Sequence, residues 1–120
     1  MNNTILFIDD EPDILAIVTF RLKKLGYRVI TAENGKIGLE IIKKEHPALI
    51  FLDLLMPEMD GYHVCKILKS DKELQDIPVI LFTAVEDNRA QNAVSEVGAD
   101  GILEKPYEPE QLLEIVKRYI

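Results

Sequence analysis

Four largely apolar runs in this chain each stop at a polar group: ILFI at Asp9-Asp10, LIFL at Asp53, VILF at Thr83 and GILE at Lys105. The runs have strand length, and amphipathic segments of helix length separate them. That alternation is the sequence form of repeated βαβ units around a parallel sheet. The carboxyl ends of parallel strands share one edge, and ligands bind there in open α/β sheets. Three carboxylates, one hydroxyl and one ammonium, far apart in the chain, are therefore expected to meet at a single place.

Five strand–helix pairs can be traced. The first strand is Ile5 to Ile8. Pro12 then falls where an early helical turn tolerates it, Ile14, Leu15, Val18, Leu22 and Leu25 form the apolar stripe, and Gly26 closes the helix. Tyr27 to Thr31 alternates, with Val29 between polar neighbours, as a half-exposed edge strand does, whereas the other runs read as central strands. Asn34-Gly35 opens a second helix through Lys44, His46-Pro47 ends it, and Ala48 to Leu52 is the third strand. Asp60 caps a third helix from Gly61 to about Lys69, with Val64, Ile67 and Leu68 inward. Pro78 starts the fourth strand. A fourth helical segment, roughly Asn88 to Val97, has only a thin stripe of Ala90, Ala93, Val94 and Val97, which makes it a candidate for movement. Gly98-Ala99-Asp100-Gly101 turns into the fifth strand, and Pro109 begins a last helix with Leu112, Leu113, Val116 and Tyr119.

Composition narrows the function. The chain has 120 residues, 48% of them hydrophobic, enough for one compact domain with a core covered on two sides. Its 14 Lys+Arg against 21 Asp+Glu give a net charge of -7, which opposes attraction to a phosphate backbone and argues against direct nucleic-acid binding by this chain. No apolar stretch approaches the roughly 20 residues that span a bilayer, and MNNTILFIDD lacks a basic region or cleavage site, so a cytoplasmic location with no membrane partner is expected. Cys65 has no second cysteine to pair with and sits in YHVCKIL as a small hydrophobe. His46 and His63 lack the spacing of a metal site and read as surface residues.

The polar termini support a chemistry of their own. A carboxylate ending a central strand, as Asp53 does, points into the crevice, where it can act as a nucleophile and carry a covalent phosphoryl group; an isolated Asp at such a place would more often cap a turn. Three negative charges against one positive leave the set at -2, which one divalent cation neutralises. Mg²⁺ suits an all-oxygen site of carboxylates, phosphate and water. Glu11 is read as a solvated residue capping the first helix and is left outside the set.

Asp9-Asp10, Asp53 within DLLMPEMDG, Thr83-Ala84 and Lys105-Pro106, in this order and each on its element, resemble the receiver domain of two-component response regulators over essentially the whole chain. The resemblance implies a flavodoxin-like, doubly wound α/β fold: five parallel strands in the order 2-1-3-4-5, flanked by five helices, as a single domain over residues 1–120. It implies that Asp53 is the phosphoacceptor, that Asp10 and Asp53 ligate Mg²⁺ directly, that Asp9 does so through water, and that the backbone carbonyl of Leu55 completes the protein ligands. Lys105, before an expected cis proline bond at Pro106, pairs with a phosphoryl oxygen, and the Thr83 hydroxyl donates to another. The implied donor is a histidine kinase or histidine phosphotransfer protein. The implied contact face for a downstream effector or output domain is the fourth helix, fifth strand and fifth helix, and a phosphorylation-dependent homodimer is left open.

Departures from the family pattern bear on the switch. Ile102 stands where many receivers have an aromatic residue, and the two positions that tune phosphoryl lifetime are the apolar Leu55 and Val85, which implies slow self-dephosphorylation. Such a protein is not a turnover enzyme. Two other classes remain open: a receiver-shaped adaptor that is never phosphorylated, and an aspartate-nucleophile phosphohydrolase. The second usually has another Asp two residues after the nucleophile, where this chain has Leu55, and a cap for which 120 residues leave no room.

Overall fold

The computed structural model describes residues 2–9, 12–54, 61–84, 98–105 and 107–120, with the backbone alone at 12–14, 83, 84 and 105. Five strands, β1 (Thr4–Ile8), β2 (Arg28–Ala32), β3 (Leu49–Asp53), β4 (Val79–Ala84) and β5 (Gly101–Lys105), form one parallel sheet in the order β2-β1-β3-β4-β5. Four helices are present among the described residues: α1 (Pro12–Lys24), α2 (Gly35–Glu45), α3 (Gly61–Ser70) and α4 (Pro109–Tyr119). The expected helical segment at 88–97 and the Asp60 cap lie outside the described residues.

The continuous apolar runs are explained by burial on both sides. Successive side chains of a strand point to opposite faces. Leu6, Ile8, Ile50, Leu52, Val79 and Leu81 accordingly pack with Ile42, Val64, Cys65 and Leu68 from α2 and α3. Their neighbours Ile5, Phe7, Leu49, Phe51, Ile80 and Phe82 pack with Leu15, Val18, Leu22, Leu112 and Val116 from α1 and α4. On that second face Phe7, Phe51 and Phe82 form a row of near-parallel rings, with centroids 4.9 Å apart for the first pair and 5.4 Å for the second.

Helix ends follow local chemistry. The Asn34 side chain accepts from the Ile37 N–H at 2.9 Å and starts α2, while His46 ends it in the left-handed region at φ 46, its N–H donating to the Ile42 carbonyl. Glu108 N–H donates to Gln111 Oε1 at 2.7 Å ahead of Pro109, the first residue of α4. Basic residues gather in the last turns, with Arg21, Lys23 and Lys24 in α1, Lys43 and Lys44 in α2, Lys69 in α3 and Lys117 and Arg118 in α4. Cations there offset the negative end of the helix dipole. In βα units these ends lie at the amino edge of the sheet.

Two expectations need correction. Leu25 was placed on the inner stripe of α1 but is 59% exposed, because the helix stops at Lys24 and Leu25 falls in the turn to Gly26, off the helical period. The runs other than the second strand read as central, yet β5 is the other edge of the sheet, pairing only with β4, and Glu104 in it is exposed. Only three residues of GILEK are aliphatic or glycine, too few to be buried on both faces.

Candidate functional site

The strands deliver the expected residues to one edge. Asp53 is the last residue of β3, 6% exposed, and registers with Phe82. Asp9 directly follows β1, is 4% exposed, and its N–H donates to the Ala32 carbonyl at 3.0 Å, so it sits one step past the β1–β2 ladder. Ile8 registers with Leu52, so Asp9 and Asp53 occupy the next step on adjacent strands, which in a sheet lie about 4.8 Å apart. Thr83 and Ala84 end β4, and Lys105 ends β5 opposite Ala84. Asp10, Glu11, Leu55, Val85 and Pro106 lie outside the described residues.

Asp9 and Asp53 are two buried carboxylates on neighbouring strands. Such a pair is well suited to a hard cation with oxygen ligands. Among the described residues no group of three or more metal-ligating side chains assembles, and Asp10, the third acid of the expected set, lies outside them. Asp9 also lines a cleft of about 600 Å³ between α1 and the start of α2, together with Leu15, Thr19, Thr31, Glu33 and Ile37.

Three features that sequence reasoning did not give a role support this edge. Gly61, read only as the start of the third helix, begins α3 directly against Asp53: a β-carbon on it would overlap the Asp53 carbonyl oxygen and lie 2.8 Å from Leu54 Cα. Its N–H donates to the Leu54 carbonyl at 3.1 Å. Gly38 similarly lets α2 approach Ile8 of β1, where a β-carbon would lie 2.8 Å from Ile8 Cγ1. Tyr107 stacks on Phe82 with centroids 5.4 Å apart and planes 5° from parallel. That contact ties the chain just past Lys105 to the residue just before Thr83. Ile102 is half-buried against the layer of α2 and α3. His46 and His63 are exposed, as expected.

Buried acids at the carboxyl edge of a 2-1-3-4-5 parallel sheet are what the sequence resemblance implies, and comparison with known proteins gives the family. The chain belongs to the response regulator receiver domain family, which it matches over residues 5–117. It is 37% identical over 117 residues to the alkaline phosphatase synthesis transcriptional regulatory protein PhoP of Bacillus subtilis, covering 98% of this chain and 48% of that protein. The chain spans less than half the length of the curated relatives it matches. Among solved structures it is similar to the signal receiver domain of a signal transduction histidine kinase from Syntrophus aciditrophicus, with 37% identity, TM-score 0.89, and 98% and 89% of the two chains covered. It is also similar to the chemotaxis protein CheY4 of Vibrio cholerae, with 29% identity, TM-score 0.90 and full coverage of both chains.

Proposed function

We propose that this chain is a phosphorylation-driven switch that accepts a phosphoryl group on Asp53 from the phosphohistidine of a histidine kinase or histidine phosphotransfer protein. The observation that carries the reading is the pair of buried carboxylates, Asp9 and Asp53, one step past the same rung of adjacent strands, beside the strand ends that carry Thr83 and Lys105. An Asp53 carboxylate oxygen bonds to phosphorus as the donor's P–N bond breaks, and the leaving imidazole keeps the electron pair and takes up a proton. The Lys105 ammonium pairs with a phosphoryl oxygen as a point charge. The Thr83 hydroxyl donates to another.

The carboxylate pair fits Mg²⁺, which Asp10 and Asp53 would ligate directly, Asp9 through water and Leu55 through its backbone carbonyl. Bound there, the ion would supply charge neutralisation for an in-line transfer whose catalysis is mostly positioning and electrostatics.

The product is the protein itself in another arrangement, so the chain performs no turnover chemistry on other substrates. A phosphoryl group biases the switch only through contacts it makes in one state and not the other. With Ile102 in place of an aromatic residue, the change would run through the segment 84–97, including the fourth helical segment expected at about 88–97, and through β5. We read residues 1–120 as one receiver domain, cytoplasmic, with its effector, output domain or second copy meeting the face of that expected segment, β5 and α4. Among the described residues no helix is long and apolar enough to cross a membrane. The net charge of -7 disfavours direct nucleic-acid contact by this chain, whatever a longer protein might carry.

The test is intact-mass analysis after incubation with acetyl phosphate and Mg²⁺, beside Asp53→Asn and a chelator. The reading requires a single phosphoryl adduct that both controls abolish. Folded protein that takes no phosphoryl from acetyl phosphate or from a phosphohistidine donor would favour the phosphorylation-independent adaptor instead.

A further inference from the structure

At the amino edge of the sheet, opposite Asp53, the Lys69 ammonium in the last turn of α3 donates to three oxygens. They are the Gln75 carbonyl at 3.0 Å, the Ile77 carbonyl at 2.9 Å and Asp100 Oδ2 at 2.9 Å. An ammonium has three donors, so Lys69 is fully used, and its side chain is only 15% exposed. Asp100 is in turn bonded twice to Val79, the first residue of β4. Its N–H donates to the Val79 carbonyl at 2.8 Å, and its Oδ2 accepts from the Val79 N–H at 2.8 Å. The carboxylate thus stands in for a ladder carbonyl just ahead of the first residue of β5. The loop before it lies over the lysine stem: Gly98 is at φ +78, and a β-carbon there would lie 3.3 Å from Lys69 Cγ.

The register of β5 matters because opposite charges are adjacent in it. Ile80 pairs with Gly101 and Ala84 with Lys105, while Glu104 is one residue earlier. A slip of one residue would set Glu104 opposite Ala84 and turn every side chain of the strand to the other face. β5 is an edge strand of five residues with one partner, so few ladder bonds oppose such a slip.

We propose that Lys69 and Asp100 are positioning residues: they lock the register of β5 on β4 from the amino edge and thereby set where Lys105 stands relative to Asp53. The inference rests on the phosphoacceptor reading only for its effect on transfer.

Lys69→Met, Asp100→Asn, the double variant and Lys69→Arg are compared with the unaltered chain by residue-resolved amide exchange and by the rate of adduct formation from acetyl phosphate with Mg²⁺. Each single loss variant should exchange residues 101–105 at least tenfold faster, with β1 and β3 changed less than twofold. The double variant should add little to either single one, Lys69→Arg should restore most of the protection, and adduct formation should slow at least threefold wherever protection is lost. Unchanged exchange at 101–105, or an equal loss over all five strands, overturns the lock. Selective loss with unaltered adduct formation overturns its role in positioning. Should the unaltered chain form no adduct from acetyl phosphate or from a phosphohistidine donor, the phosphoacceptor reading fails, and protection at Leu103 to Lys105, the site end of β5, decides the lock by itself.

Discussion

Gly61 packs against the backbone of Asp53 so closely that a β-carbon on it would overlap the Asp53 carbonyl oxygen and stand 2.8 Å from Leu54 Cα. The start of α3 is thereby seated on the end of β3, and the backbone of the residue that ends the strand is met by a contact only glycine allows.

Gly61→Ala is therefore expected to act on stability and site together. The added methyl meets backbone, which yields less readily than a side chain, and overpacking of this kind costs about 1–3 kcal/mol. Urea unfolding should show that loss, and phosphoryl uptake should fall several-fold in protein that remains folded. An uptake rate equal to that of the unaltered chain would mean that the contact does not place Asp53.

Cys65 gives a pH signature. Burial pushes its thiol up to about 11 from an ordinary 9.0. The folded chain thus holds the proton more tightly than the unfolded chain, a contribution that is complete below pH 9 and is lost as pH rises toward 11. Stability should decline over that window more steeply than in Cys65→Ala, in which the same lysines and tyrosines titrate. Alkylation by iodoacetamide at pH 8 should be at least tenfold slower in folded protein than in denatured protein.

On α1, Ile17 and Phe20 are 64% and 60% exposed, with Lys24 Nζ 4.7 Å from the Phe20 ring centroid. The helix leaves the same edge that holds Asp9, so a protein donor covering the site would meet this surface, whereas a small donor would not. Phe20→Ala should change stability by less than about 1 kcal/mol and leave uptake from acetyl phosphate unaltered. Transfer from a phosphohistidine protein should slow about tenfold; equal slowing with both donors would place the defect in the site.

The resemblance to receivers assigns the lifetime of the proposed adduct to Leu55 and Val85. Apolar groups there offer attacking water no hydrogen bond. Leu55→Asn combined with Val85→Glu should shorten the half-life of the isolated phosphorylated protein by about tenfold, followed by intact mass against time. A half-life that hardly changes would assign the slow step to something other than water access.

How far the sequence reached can be judged at particular residues. The strands were legible to within a residue or so, because burial on both faces leaves unbroken apolar runs bounded by turn residues. Asp9, Asp53, Thr83 and Lys105 were legible as residues gathered on one edge because the topology places all strand ends there. The stacking of Tyr107 on Phe82, the seat of Gly61 on Asp53 and the Lys69–Asp100 bridge were not, since each joins residues far apart in the chain whose pairing no local period encodes. Leu25 misled for the reverse reason: it continues the helical period in sequence one residue after the helix has ended.

The basic last turns of α1, α2, α3 and α4 all lie at the edge away from Asp9 and Asp53. A chain of net charge -7 thereby gathers cationic side chains at one edge of its sheet and sets the Asp9 and Asp53 carboxylates at the other. Its field orients what approaches before anything touches: a cation is drawn to the crevice, and a partner with a basic rim is turned to meet the carboxylates first. Salt should blunt that orientation over a Debye length of roughly 8–10 Å, so the encounter, more than the bound state, is where ionic strength will register.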